Sequence, residues 1–251
     1  MKRVIISDMA DIYEISRFCE ENGYGVNINR LKVPDYLDIS SNAIDNHLEV
    51  YKNVDICSIH GPMNDLNCGS KDALIKDITL KRFEFAYEIS QSLKCKNIIL
   101  HNGFVPGTGV SKIWEERAVV FWNDFLFNKN NETVFFIENL LEQDPEIILN
   151  IIKNVDNGCL KVCFDVGHAN IFSRVKIVEW IVKMNENIGF VHLHNNYGIN
   201  DEHNGLDNGN IDMNEICEAL EEFCPDAIWD LETKEYKRSI EWLKQNKYIK
   251  S

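Results

Sequence analysis

The chain has no run of about 18 consecutive apolar residues, which excludes a conventional membrane-spanning helix. Its first residues, Met-Lys-Arg-Val-Ile-Ile-Ser-Asp, hold too short an apolar stretch for a secretory signal, so a cytoplasmic protein is expected. No pair among the eight cysteines has C-x-x-C spacing. Several sit inside apolar runs, where a reduced thiol behaves as a small hydrophobe, so no disulfide framework is expected. Basic charge is scarce: 26 Lys plus Arg stand against 40 Asp plus Glu, a formal charge of −14. That balance argues against a polyanion as main partner, and the Lys81-Arg82 pair reads as the solvated face of a helix. There is no linker, low-complexity tract or break in composition, so residues 1–251 are expected to form one domain.

What the chain does have is a series of apolar runs that each stop at a residue able to bind a metal ion. Those residues are His60, His101, Glu138, Asp165, His192 and Glu232, spaced 27 to 41 positions apart. One buried strand ending in His, Asp or Glu is ordinary. Six in succession suggest strand ends converging on one polar site, which is how an α/β barrel builds its active face.

Strand patterns fall at 4–7, 26–29, 55–60, 97–101, 133–138, 161–165, 189–192 and 227–232. Helical patterns alternate with them at 12–21, 44–52, 71–93, 112–127, 145–154, 176–185, 213–223 and 239–247. Asp144 before Pro145 reads as an N-cap followed by a proline at the first helical position, and Asp212 with Glu215 resembles a capping box. Continuously apolar strands indicate a parallel sheet buried on both faces. Eight βα units over 251 residues give a single closed (β/α)8 barrel, with a doubly wound open sheet as the alternative.

Glu138, Asp165, His192 and Glu232 form the inner set. Each alone could be a satisfied strand-end polar group. Together, three carboxylates and an imidazole suit a divalent ion, zinc or manganese first, with magnesium and cobalt open. Clustered carboxylates without a cation would repel and take up protons. Around them stand His60, His101, His168, Asp201 and His203, which could hold further ions or hydrogen-bond a substrate. His194 alternates with His192 and is read as packing or binding substrate; His47, in a helical pattern, is read as a surface residue. The asparagines at 195, 196, 200, 204, 208 and 210 could serve hydroxyls, although turn formation explains the same composition. Lys234 is the one cation near Glu232 nominated for a phosphate, and an unphosphorylated substrate is slightly preferred.

The segments His60-Gly-Pro-Met-Asn-Asp-Leu-Asn, Leu100-His101-Asn-Gly, Ile137-Glu138-Asn, Phe164-Asp165-Val-Gly-His168, His192-Leu-His-Asn-Asn-Tyr-Gly198, Asp201-Glu-His203 and Leu231-Glu232-Thr resemble the xylose isomerase-like TIM barrel superfamily. That superfamily includes sugar and sugar-phosphate isomerases and epimerases and the endonuclease IV enzymes. The resemblance runs from His60 to Glu232. It implies the (β/α)8 fold and a divalent metal on Glu138, Asp165, His192 and Glu232. Isomerases and epimerases need only those four. Endonuclease IV-like members use nine ligands for three zinc ions, and all nine positions match here, the other five being His60, His101, His168, Asp201 and His203. The chain departs from the family at Asn195, where Asp is frequent, and at Asp207, where many relatives carry Gly.

Three functions are therefore carried forward. The first is a metal-dependent isomerase or epimerase of a small sugar or polyol. The resemblance implies Glu138 and Glu232 as its proton acceptor and donor, with His168, His203, His60 and His101 facing substrate. The second is a zinc phosphodiesterase acting on abasic DNA, disfavoured by the acidic balance because duplex binding draws on Lys and Arg. The third is a non-catalytic sugar- or metal-binding barrel, against which the two glutamates speak. Barrels of this kind often pair through helices, so a homo-oligomer stays open.

Overall fold

Short, largely apolar strands flanked by amphipathic helices can bury both faces of the sheet only if the sheet is covered on one side and filled on the other. In the computed structural model, which describes residues 3–34, 45 and 48–250, the chain does this by closing the sheet. Strands β1 (Val4–Ser7), β2 (Gly25–Ile28), β3 (Ile56–His60), β4 (Asn97–His101), β5 (Val134–Glu138), β6 (Leu160–Asp165), β7 (Ile188–Leu193) and β8 (Ile228–Leu231) pair in parallel in chain order. β8 returns to pair with β1, so no edge is left open. This is the (β/α)8 barrel, and the open-sheet alternative is excluded.

Eight helices are found among the described residues. They are α1 (Ile12–Asn22), α2 (Ala73–Ser92), α3 (Ser111–Leu126), α4 (Glu146–Asn154), α5 (Val166–Phe172), α6 (Ile177–Met184), α7 (Met213–Phe223) and α8 (Tyr236–Gln245). Of the helix expected at 44–52, residues 45 and 48–50 are helical and 51–52 form a turn, while 44, 46 and His47 lie outside the described residues. The starts of the helices follow from local chemistry. Asp11, Asp72 and Asp212 each accept hydrogen bonds from first-turn amides, satisfying donors that have no partner within the helix. Helix α4 starts at Glu146, one residue later than expected, with Asp144 still capping the Glu146 amide at 3.0 Å. The sequence pattern did not anticipate α5, a seven-residue helix directly after β6. None of these helices is long and apolar enough to cross a membrane, and all eight cysteines are free thiols.

Inside the barrel, Ile5, Cys57, Ile99, Phe136, Cys163 and Phe190 form a buried apolar layer of their own. On β4, β5, β6 and β7 the residue two positions further along is His101, Glu138, Asp165 and His192. Side chains alternate along a strand, so the layer and these polar groups share the inward face. The apolar layer is the floor and the polar groups stand on it.

Candidate metal centre and active site

Six strand ends deliver six side chains to one place. His60, His101, Glu138, Asp165 and His192 are all 3% exposed or less, and Glu232, directly after β8, is 2% exposed. Parallel pairing sets their heights: His101 is level with Glu138, and Asp165 with His192.

Glu138 is the hub. Its Oε2 lies 3.0 Å from His60 Nε2 and 3.1 Å from His101 Nε2, and its Oε1 lies 3.4 Å from His168 Nδ1 and 3.3 Å from His192 Nδ1. Asp165 ends β6 and also caps α5, accepting the His168 amide at 2.6 Å. That double duty puts His168 on the first turn, where its Nδ1 meets the Asn139 carbonyl at 2.9 Å and its Nε2 lies 3.3 Å from Asp201. His203 closes the rim, with Nε2 2.9 Å from Asp201 Oδ2 and Nδ1 2.9 Å from the Glu232 carbonyl. Its backbone has φ +49, a region non-glycine residues seldom occupy unless their surroundings hold them there.

One donor atom from each of Glu138, Asp165, His192 and Glu232 falls within 4.8 Å of the others. The same holds for His60, His101 and Glu138, for His168, Asp201 and His203, and for His194, His203 and Glu232. His192 Nδ1 and Glu232 Oε2 are buried without a hydrogen-bond partner in the protein, although carboxylate and imidazole atoms lie 3.3 Å apart between them. Close approach without hydrogen-bond geometry suits groups that share a cation, so the inner donor set fits a divalent ion.

The protein's own electrostatics are those of interleaved opposite charges. Burial opposes ionisation of Glu138, yet His101 and His192 hold its carboxyl well below the usual range. Asp165 is likewise depressed against its burial by His168 and His194. Burial opposes charge on His203 too, but Glu232 and Asp201 raise it to about 9. For His60 burial wins, and its pKa is lowered.

One expectation is corrected. Lys234 is exposed, and the cation beside Glu232 is Lys32, whose Nζ lies 3.5 Å from Glu232 Oε1 while Asn29 donates to the same oxygen. Lys32 sits in the 3-10 turn Arg30–Lys32 after β2, which Asp8 fixes by accepting the Asn29 and Arg30 amides at 2.7 and 3.2 Å. The asparagines of the long loop serve mainly the loop itself. Asn195 and Asn204 form an antiparallel bridge, Asn195 Oδ1 accepts the Asn196 and Ile211 amides, and Asn170 links Asn196 to Asn210. His194 packs, as one expectation had it, and donates from Nε2 to Asp165 at 3.1 Å. Sequence reasoning missed Asp230, which lies beside His192 on the neighbouring strand and bonds to Ser7 and Asn27. A carboxylate inside an otherwise apolar strand was the available signal.

Comparison with known proteins agrees with this architecture. Residues 18–246 match the family model described as xylose isomerase-like TIM barrel. The uncharacterized protein MJ1311 of Methanocaldococcus jannaschii is 28% identical over 192 residues, covering 72% of this chain and 66% of that protein. Among solved structures, a D-tagatose 3-epimerase-like protein superposes with TM-score 0.79 at 24% identity, covering 99% of this chain and 98% of the other. The IOLI protein with a binding zinc atom does so with TM-score 0.77 at 15% identity and full coverage of both chains. With the family model spanning nearly the whole barrel, the chain belongs to the xylose isomerase-like TIM barrel family.

Proposed function

We propose that this protein is a divalent-metal-dependent isomerase or epimerase of a small sugar or polyol. The observation that carries the reading is the convergence of Glu138, Asp165, His192 and Glu232 from four strands onto one buried shell. A tagatose epimerase-like structure and a zinc-bound structure among its fold relatives support it.

Glu138, Asp165, His192 and Glu232 would hold the ion, zinc or manganese. When bound, the ion would polarise neighbouring carbonyl and hydroxyl oxygens and offset the charge left by proton loss. Glu138 and Glu232 approach from β5 and β8 and serve as proton acceptor and donor at a carbon between them. Asn29 and Lys32 both bond to Oε1 of Glu232 and so fix the orientation of its carboxylate. His168 and His203, at the rim, orient substrate hydroxyls, and His60 and His101 hold Glu138 from its far side.

Solvent-deuterium exchange into a panel of ketoses and aldoses tests the reading. Manganese- or zinc-loaded protein is expected to exchange a carbon-bound hydrogen, and Glu138→Gln or Glu232→Gln to lower that rate by about a hundredfold or more. No exchange with any sugar would remove the proposal.

One observation favours a second reading. All nine residues of the endonuclease IV-like pattern stand in one site as several donor sets that share Glu138 or His203. Three tightly held zinc ions per chain, with nicking of an abasic duplex at low salt, would favour a phosphodiesterase.

A further inference from the structure

We propose that Asp230 is a positioning residue for His192: it takes the Nε2–H of that imidazole and leaves Nδ1 as the atom that meets the metal ion. The inference rests on the metal-centre reading above. His192 and Asp230 are register partners on β7 and β8, and neither has any exposed surface.

The two ring nitrogens face different carboxylates. Nδ1 lies 3.3 Å from Glu138 Oε1, 3.3 Å from Glu232 Oε2 and 3.7 Å from Asp165 Oδ2, the three other members of the inner donor set. Nε2 points to Asp230 Oδ2 at 3.5 Å. Asp230 belongs to none of the candidate donor groups. It is a fourth buried carboxylate placed behind the ring, where an isolated ionised carboxylate is costly unless it is paired.

Asp230 is held still. Ser7 Oγ and Asn27 Nδ2 each donate to Oδ2 at 2.7 Å, and Asn27 also donates to Ser7 at 3.1 Å. Ser7 and Asn27 are themselves register partners on β1 and β2, so four strands fix the arrangement. A carboxylate oxygen pair can accept about four hydrogen bonds, and Oδ1 carries none. Oδ1 therefore has the capacity to take the Nε2–H while Ser7 and Asn27 keep their places on Oδ2. The Cys163 thiol is also close to the ring, but its sulfur is a weak acceptor and does not compete with a carboxylate. An imidazole that donates its second nitrogen to a carboxylate has its tautomer fixed and its basicity as a ligand increased.

The test uses the full chain with zinc as probe. Zinc affinity is measured by competition with a chromophoric chelator, and the ring protons of His192 in the zinc-loaded protein by long-range proton–nitrogen NMR. The expected result is a His192 proton on Nε2, with affinity lowered about ten- to a hundredfold in Asp230→Asn. Asn27→Ala, which loosens Asp230 without removing it, is expected to give a smaller fall and keeps the test open if Asp230→Asn does not fold. A His192 proton on Nδ1, or unchanged affinity in both variants, overturns the positioning role. Equal zinc binding by wild type and His192→Ala would overturn the metal-centre reading instead, so the two failures are distinct.

Discussion

His203 shows how one rim residue is held by charge. Its pKa is raised from 6.5 to about 9, with burial opposed by Glu232 and Asp201. A histidine whose folded-state value is raised contributes stability that is fully present below pH 6.5 and lost as pH climbs through about 9. Urea unfolding of chelator-treated protein should therefore show a loss of up to about 3 kcal/mol between pH 6 and pH 9 from this group. His203→Asn should remove that part of the slope. The residues that end strands were legible because a polar group closing an apolar strand buried on both faces stands out in sequence. Asn29 and Lys32 were not, since they follow β2 by one to four positions and meet Glu232 across some 200 residues of sequence once the barrel closes. The asparagine loop left two readings open for a local reason: side-chain amides satisfy turn backbone as readily as they would satisfy a sugar.

At the scale of elements, the β6–α5 junction ties structure to site. Asp165 is at once the last residue of β6, the cap of α5 and a member of the inner donor set. Gly167 on that first turn lies against the His194 ring, where an added Cβ would come within 2.0 Å of the imidazole. Gly167→Ala should cost about 1–3 kcal/mol in unfolding experiments by forcing the ring aside. It should also weaken zinc binding, because His194 then releases Asp165. Unchanged stability and affinity would show that the loop absorbs the methyl group. Strand positions were read to within a residue or two because buried apolar runs bounded by polar residues are unambiguous in a repeating βα pattern. Helix α5 escaped because it is short, contains glycine and is capped by a residue, Asp165, already assigned to the preceding strand.

At the scale of the whole molecule, a metal ion bound only by the native site should stabilise the fold by mass action. Zinc at about a thousand times its dissociation constant adds about 4 kcal/mol. The thermal midpoint should rise with added zinc and fall on chelation. That gain should shrink as acid protonates the carboxylates and imidazoles. A midpoint indifferent to zinc and chelator at neutral pH would count against an ion shared by Glu138, Asp165, His192 and Glu232. Barrel closure was legible from eight repeats and chain length, whereas the layering inside it was not, because it depends on how the strands stagger. The layer of Ile5, Cys57, Ile99, Phe136, Cys163 and Phe190 turns the cylinder into a blind well. Whatever enters at the rim must leave by that same doorway, so an accumulating product would obstruct the next arrival.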